Sequence, residues 1–399
     1  MKRLVVGLAL VLFPVVAAVA QAGPPMTPER AIERVLEVRP VEAAWFDAGF
    51  LAQVPVASIQ QVADRYTGEG GKFRRIEKDA EGYTVYLERT KFPARAALNS
   101  DGQFTMLWFG IAEPLQAASL ADSVKAFSGL AGKVSVAVVE NGTVRASLDP
   151  DQPLAVGSAF KLAIISALHA QIAAGKHRWD EVVALKPEWK SLPSGVIRTW
   201  PDETPLTLAT LANEMISISD NTAADALLSI AGRENVEAMA PHSRPFLSTR
   251  EAFILKDPAN GILLARYRAA DAAGRRALLP EIDKLPLPDV TIFARGEPVA
   301  TDIEWFFATP ELCRLMDGVR DLGAMQINPG VAHKKDWEQI AYKGGSEPGV
   351  LNFTTAVTAK DGRHACVAAT WNSDGVVDEN AFATLYEGVL AAIAAEGKK

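Results

Sequence analysis

The order of strand and helix candidates along residues 119–399 constrains the fold of this chain more than any other feature. Residues 133–149, "KVSVAVVENGTVRASLD", predict a β-hairpin that turns at Asn141-Gly142, a dipeptide typical of two-residue hairpin loops. Three more strand candidates, "EQIAYKGG", "VLNFTTAVTA" and "HACVAATWN", lie near the other end and precede a helix candidate, "ENAFATLYEGVLAAIAA". Between them the pattern is helical from Ser158 to about Gly232, then irregular and proline-rich to about Pro310. This order predicts an α+β domain whose antiparallel sheet is formed by both of its ends, with a helical region between them.

A smaller α+β domain is predicted ahead of it. Helical spacing runs from Thr27, a capping residue, to about Tyr66. The strand candidates "KFRRIEKD", "GYTVYLER", "FPARAALNS" and "QFTMLWFGI" follow, separated by turn signals such as "NSDG". The pattern resembles the cone-shaped fold of steroid isomerases and polyketide cyclases. We expect an accessory domain at residues 23–115 and a main domain at 116–399.

The first 22 residues are typical of a secretory signal peptide. Lys2 and Arg3 precede an apolar run, and "AQA" before Gly23 fits a cleavage site. The alternative, a membrane anchor, is disfavoured because the run is shorter than the roughly 20 residues that a span needs. A secreted or periplasmic protein is expected, with no integral membrane segment after cleavage.

Charge and cysteine content narrow the classes of partner. The formal charge is −7, and it becomes −9 when Lys2 and Arg3 are removed, so no nucleic acid partner is expected. Two cysteines, Cys313 and Cys366, are too few for a disulfide framework. They can form one bond or remain buried thiols, and the oligomeric state stays open.

The stretch "AVGSAFKLAIISAL" places a lysine inside an apolar helix candidate. Ser158 and Lys161 are three residues apart and share a helix face. A desolvated lysine near another cation has a lowered pKa and can accept the proton of a serine. The alternative is a capping serine beside a lysine that extends its amine to solvent.

Two later motifs contain further serine and lysine side chains that can take part in a site. Ser219-Asp220-Asn221 lies between two helical segments, where it can place a hydroxyl and an amide in a site or simply cap the next helix. Lys343-Gly344-Gly345 ends an apolar strand candidate. Its glycines allow a ligand to approach the strand edge closely, or they form an ordinary strand-end turn.

Together, in this order, the three motifs resemble the S-x-x-K, S-D-N and K-T-G signatures of the penicillin-recognising serine hydrolases, which include class A β-lactamases and penicillin-binding proteins. The resemblance covers residues from about Ser119 to the end of the chain. It implies that Ser158 is the nucleophile and Lys161 its base or proton relay. The pairing with an N-terminal α+β domain is similar to the lactamase-like proteins of clavulanic acid gene clusters.

The resemblance also implies roles for the remaining motif residues. Ser219 relays a proton to the leaving nitrogen, Asn221 binds the substrate amide, and Lys343 supplies positive charge. Gly345 and Ser346 are expected to bind substrate. The backbone amide of Ser346, with that of Ser158, would form the oxyanion hole.

Two departures from the family pattern bear on specificity and turnover. Gly344 replaces the usual threonine or serine, which removes a hydroxyl that helps to bind a substrate carboxylate, and Ser346 is the alternative source of one. No E-x-x-L-N motif is found, so the glutamate that activates the deacylating water is missing from its usual place. Glu251 is the nearest acidic candidate for that role.

The expected function is therefore an exported serine hydrolase that forms an acyl-enzyme on Ser158. The expected partners are small β-lactam, ester or peptide substrates. Neither a metal nor a cofactor is expected, because the five histidines show no zinc-binding pattern. The alternatives are an esterase, a D-Ala-peptidase-like hydrolase, or a penicillin-binding sensor that acylates without turnover.

Overall fold

The computed structural model of the protein describes residues 26–80, 82–115, 119–293 and 296–396. The predicted signal peptide at residues 1–22 lies outside the described residues. The chain divides into two compact units, Met1–Ala112 and Glu113–Lys399. No helix within the described ranges is long and apolar enough to cross a membrane.

The first unit consists of helices followed by an antiparallel meander. Thr27 Oγ1 accepts a hydrogen bond from the backbone N–H of Arg30 and caps the first helix, as the sequence predicts. The meander pairs its strands in sequence order, and Ile32, Val85 and Phe104 are in its core. The helices are α1 (Pro28–Glu37), α2 (Ala48–Leu51) and α3 (Val56–Gly70), and the strands are β1 (Phe73–Lys78), β2 (Tyr83–Leu87), β3 (Thr90–Leu98) and β4 (Phe104–Phe109).

The second unit is built on a five-stranded antiparallel sheet, which confirms the predicted α+β class. The hairpin turns at Asn141 and Gly142, both with positive φ, and strands from the far end of the segment complete the sheet. The order of strands in the sheet is β12 (Gln339–Glu347), β13 (Val350–Thr358), β14 (His364–Asn372), β6 (Lys133–Glu140) and β7 (Thr143–Leu148). The second unit's strands are β5 (Glu113–Pro114), β6 (Lys133–Glu140), β7 (Thr143–Leu148), β8 (Leu154–Ala155), β9 (Val182–Ala184), β10 (Pro205–Thr207), β11 (Phe306–Phe307), β12 (Gln339–Glu347), β13 (Val350–Thr358) and β14 (His364–Asn372).

Helices cover this sheet and fill the region between its two halves. The largest apolar core of the unit surrounds the helix that follows Ser158, in which Leu162, Ile164 and Leu168 are fully buried. The helices are α4 (Leu120–Ala126), α5 (Lys161–Ala173), α6 (Leu208–Ser217), α7 (Asn221–Ala231), α8 (Arg233–Glu237), α9 (Thr249–Lys256), α10 (Gly261–Ala269), α11 (Ala272–Ile282), α12 (Thr309–Val319), α13 (Gly323–Gln326) and α14 (Glu379–Glu396).

The structure corrects the prediction of an irregular stretch from about Gly232 to Pro310, because α9, α10 and α11 lie within it. Its prolines do not prevent helix formation. Pro258 begins a short 3-10 turn and Pro280 lies in the last turn of α11. Asp271 caps α11 by accepting a hydrogen bond of 2.8 Å from the backbone N–H of Gly274.

A disulfide answers the question that the two cysteines left open. Cys313 on α12 and Cys366 on β14 are bonded, with their Cα atoms 5.6 Å apart, and both are fully buried. The bond links a helix to the central sheet across 53 residues of sequence.

Candidate active site

Ser158 lies in a 3-10 turn, Gly157–Phe160, that leads directly into α5. Strand β12 passes close beside this turn. A Cβ atom on Gly345 would lie 2.6 Å from Ala159 N and would also overlap Val156 O and Ser158 N. Glycine is therefore needed at position 345, because any side chain would push the strand away from the serine.

Lys161 is completely buried and reaches back to the serine. Its Nζ lies 3.1 Å from Ser158 Oγ, 2.6 Å from the carbonyl oxygen of Ser219, 3.0 Å from Ser219 Oγ and 2.7 Å from Asn221 Oδ1. Burial holds the pKa of Lys161 well below its ordinary value, and the positive charge of Lys343 lowers that pKa further.

The partners of Lys161 suit a neutral amine. Ser219 O and Asn221 Oδ1 can only accept hydrogen bonds, and the Asn221 amide is oriented by its Nδ2, which donates to Leu192 O at 3.1 Å. These two acceptors take the two N–H groups of a neutral amine. The lone pair is then left for a hydroxyl proton, and Ser158 Oγ is within reach. The arrangement can therefore accept the proton of Ser158.

The loop between α6 and α7 presents Ser219 and Asn221 to the lysine. Asp220 does not face the cleft. Its Oδ1 accepts a hydrogen bond from Ala223 N at 2.8 Å and caps α7, and its Oδ2 accepts from Val196 N and Ile197 N. These bonds hold Ser219 at a φ of 62°, a left-handed conformation that is uncommon outside glycine. Capping and site formation are thus both functions of this motif.

Lys343 approaches the same hydroxyl from the sheet. It is 3% exposed, and its Nζ lies 3.1 Å from Ser219 Oγ while also contacting Gly344 O. Desolvation lowers its pKa to about 7. Ser219 Oγ consequently stands between two amines, so a proton can pass through it from one side of the site to the other.

These groups open into a cleft of about 560 Å³. Ser158, Ser219, Asn221, Lys343 and Gly345 line it, as does Ser346, and Lys161 lies immediately behind Ser158. A Cβ atom on Gly157 would be 3.0 Å from Ser346 N. The backbone amide of Ser346 therefore lies against the serine turn, close to the amide of Ser158.

Glu251 is not among the residues that the structure brings to the cleft. Arg233 pairs with both of its oxygens, at 2.7 and 2.9 Å, and Ser248 N donates to Oε2 at 2.6 Å in a capping box at the start of α9. The side chain is 1% exposed. Its carboxylate is fully used by these structural bonds, so this geometry does not support a role for Glu251 in activating water.

Sequence reasoning missed several residues of the cleft wall. Tyr342, Trp305 and Glu379 all line it. Trp305 stacks on Phe160 with ring centroids 3.8 Å apart, and its Nε1 donates to Leu247 O. The only signal for Tyr342 was its place in an apolar strand beside Lys343, and Trp305 lies in a stretch that showed no pattern.

A buried charge cluster lies behind the same wall. Lys256 Nζ donates to both oxygens of Glu347, at 2.6 and 2.8 Å, and also contacts Glu304. Burial and the neighbouring Glu347 raise the pKa of Glu304 well above its ordinary value. These contacts leave Glu347 committed to Lys256.

One family model matches part of the chain: residues 116–243 match that of the beta-lactamase enzyme family. No curated protein matches the chain. The matched residues include Ser158, Lys161 and the loop from Ser219 to Asn221. This match confirms the resemblance to the penicillin-recognising serine hydrolase superfamily.

Solved structures give more distant likenesses. A beta-lactamase from Sphaerobacter thermophilus DSM 20745 is 20% identical, with a TM-score of 0.48 over 70% of this chain and 97% of that chain. A beta-lactamase from Chitinophaga pinensis DSM 2588 is 20% identical, with a TM-score of 0.45 over 69% and 96%. The structure of PBP-A is 13% identical, with a TM-score of 0.47 over 70% and 96%.

Proposed function

We propose that the protein is an exported hydrolase in which Ser158 forms an acyl-enzyme with β-lactam amides or related acyl compounds. The observation that carries the proposal is the environment of Lys161. A fully buried amine lies 3.1 Å from Ser158 Oγ and within hydrogen-bond distance of two obligate acceptors, Ser219 O and Asn221 Oδ1. A lysine held in this way is a proton acceptor rather than a structural cation.

Acylation would proceed from these contacts. Lys161 takes the proton as Ser158 Oγ bonds to the substrate carbonyl carbon, and the negative charge that develops on the carbonyl oxygen meets the backbone amides of Ser158 and Ser346. Ser219, between Lys161 and Lys343, then passes a proton to the leaving nitrogen or oxygen. Asn221 donates to the acyl side chain of the substrate only if its amide leaves the Leu192 carbonyl, because its Oδ1 is occupied by Lys161.

Deacylation is expected to be the slower step. Among the described residues that line the cleft, the carboxylates are Glu347, which is bound to Lys256, and Glu379, which is exposed at the start of α14. Neither is placed as a free base beside Ser158. Lys161, once it has given its proton to the leaving group, is the group best placed to activate water.

Export and the accessory role of the first unit complete the proposal. The apolar run and cleavage pattern at residues 1–22 support export, and a buried disulfide is typical of proteins that fold in an oxidising compartment. The site residues all lie beyond residue 156, within the second unit. We accordingly assign residues 23–115 an accessory role.

A panel of substrates tests the reaction. A chromogenic β-lactam, an aryl ester and a D-Ala-D-Ala peptide are each incubated with the protein and with the Ser158→Ala variant, and product release is followed. We expect release from at least one substrate to depend on Ser158, with a burst followed by slow turnover. Equal rates for the protein and the variant with all three substrates would refute the proposal.

A further inference from the structure

Tyr342 occupies the space that a side chain at position 344 would take. Side chains at i and i+2 of a strand point to the same face, so residues 342 and 344 of β12 share one. A Cβ atom on Gly344 would lie 2.8 Å from Tyr342 Cζ, would overlap the phenol oxygen, and would be 3.1 Å from Asn352 O. Gly344 and Tyr342 are therefore a matched pair, because only a glycine leaves room for the phenol.

The ring of Tyr342 is held in this place by its neighbours. A Cβ atom on Gly330 would be 2.5 to 2.7 Å from three of the ring carbons, which shows that the loop backbone lies directly on the ring. Phe353, the residue paired with Gly344 on β13, meets the ring edge-on with centroids 6.1 Å apart. The phenol consequently has a fixed position, and little entropy is lost when it binds a ligand.

The hydroxyl group of Tyr342 is free to bind a ligand. Tyr342 lines the cleft with Lys343, Gly344 and Gly345, and its phenol oxygen lies over Gly344. Among the residues that the structure describes, none forms a hydrogen bond with this oxygen. Burial raises the pKa of Tyr342 well above its ordinary value, so the phenol stays protonated and can donate. Lys343 is the one cation in the described lining of the cleft.

We infer that Tyr342 Oη and Lys343 Nζ together bind an acidic group, a carboxylate or a sulfonate, on the substrate that acylates Ser158. This inference rests on the proposed function and adds a specificity residue to it. The phenol supplies, from two residues earlier in the strand, the hydroxyl that Gly344 cannot supply. Ser346 lies on the same strand face but is exposed, so it is less well placed than the fixed phenol.

The test compares an acid-bearing β-lactam with the methyl ester of the same compound. Tyr342→Phe removes only the hydroxyl and keeps the ring between Gly330 and Phe353. We expect its acylation rate constant to fall roughly 10- to 100-fold for the acid, as for a lost hydrogen bond to a charged group, and by less than about 2-fold for the ester. Tyr86→Phe is the matched control, since its hydroxyl binds Glu77 in the first unit; it should change neither rate.

A second variant moves the hydroxyl back to position 344. Tyr342→Ala combined with Gly344→Thr should recover most of the preference for the acid that Tyr342→Ala alone has lost. Equal loss for acid and ester in Tyr342→Phe, or no loss for either, would overturn the inference while acylation of Ser158 still stands. Failure of the unaltered protein to acylate with either compound would instead refute the proposal that β-lactams are substrates, and the inference with it.

Discussion

Replacing Lys161 with methionine separates its proposed chemical role from a packing role. Methionine matches the length and apolar stem of lysine but cannot take a proton. If Lys161 is the general base, acylation should fall by roughly 10² to 10⁴. Lys161→Arg should do no better, because a guanidinium stays protonated and its planar group is larger.

The effect of this change on stability can be worked from the contacts. The methionine variant leaves Asn221 Oδ1 without a donor, at about 1–3 kcal/mol, whereas Ser219 O keeps the Ser194 hydroxyl as a donor. It also removes a buried amine, whose desolvation costs about 1–3 kcal/mol. From the middle of these ranges the two effects nearly cancel, so the free energy of unfolding changes little and the variant should remain folded.

The assay measures the acylation rate constant with a chromogenic β-lactam or an activated ester, beside the melting temperature of each variant. We predict that the Lys161→Met protein is folded and has lost most of its acylation activity. A folded variant that acylates at close to the rate of the unaltered protein would refute it, and Ser158 would then need another base.

Three further predictions concern the disulfide, Lys343 and export. Cys313→Ala combined with Cys366→Ala opens a loop of 53 residues and should lower the free energy of unfolding by about 4 kcal/mol in the chain-entropy account; a loss below about 1 kcal/mol in denaturant titration would contradict this. Because the pKa of Lys343 is about 7, kcat/KM for an acid-bearing substrate should fall as pH rises through about 7 and the ammonium loses its proton, whereas kcat/KM for the methyl ester should lack this limb; the same limb for both would exclude Lys343 as its cause. Sequencing of the mature protein should begin at Gly23 or Gln21, and a start at Met1 would refute cleavage.

Much of the sheet and of the site could be predicted because local chemistry determines them. Asn141-Gly142 specifies a hairpin turn. A lysine inside an apolar helix indicates that polar partners lie nearby, and Ser219 and Asn221 are those partners. In these cases a few residues that are close in sequence are sufficient for the prediction.

Other features depend on contacts between distant segments. The Cys313–Cys366 bond requires that α12 lie on β14, which spacing along the chain does not reveal. The sequence already indicates a structural role for Glu251, since Ser248 and Glu251 form an S-x-x-E capping box. The ion pair with Arg233, in contrast, is known only from the fold.

The pair of Tyr342 and Gly344 lies between these two cases. Strand alternation places both residues on one face, so their proximity follows from the sequence. The position of the Tyr342 phenol above Gly344 depends on Gly330, in a loop, and on Phe353, in a neighbouring strand. The sequence therefore shows that position 344 lacks a hydroxyl, but it does not show that Tyr342 places one there.

The central claim is that Ser158 forms an acyl-enzyme, and the mass of the intact protein tests it most directly. The protein and its Ser158→Ala variant are incubated with a penicillin and with an activated ester, and their masses are followed over time. We predict an adduct on the unaltered protein that maps to the peptide containing Ser158, decays slowly and is absent from the variant. An adduct of equal yield on the variant, or none from either compound on the unaltered protein, would contradict the account.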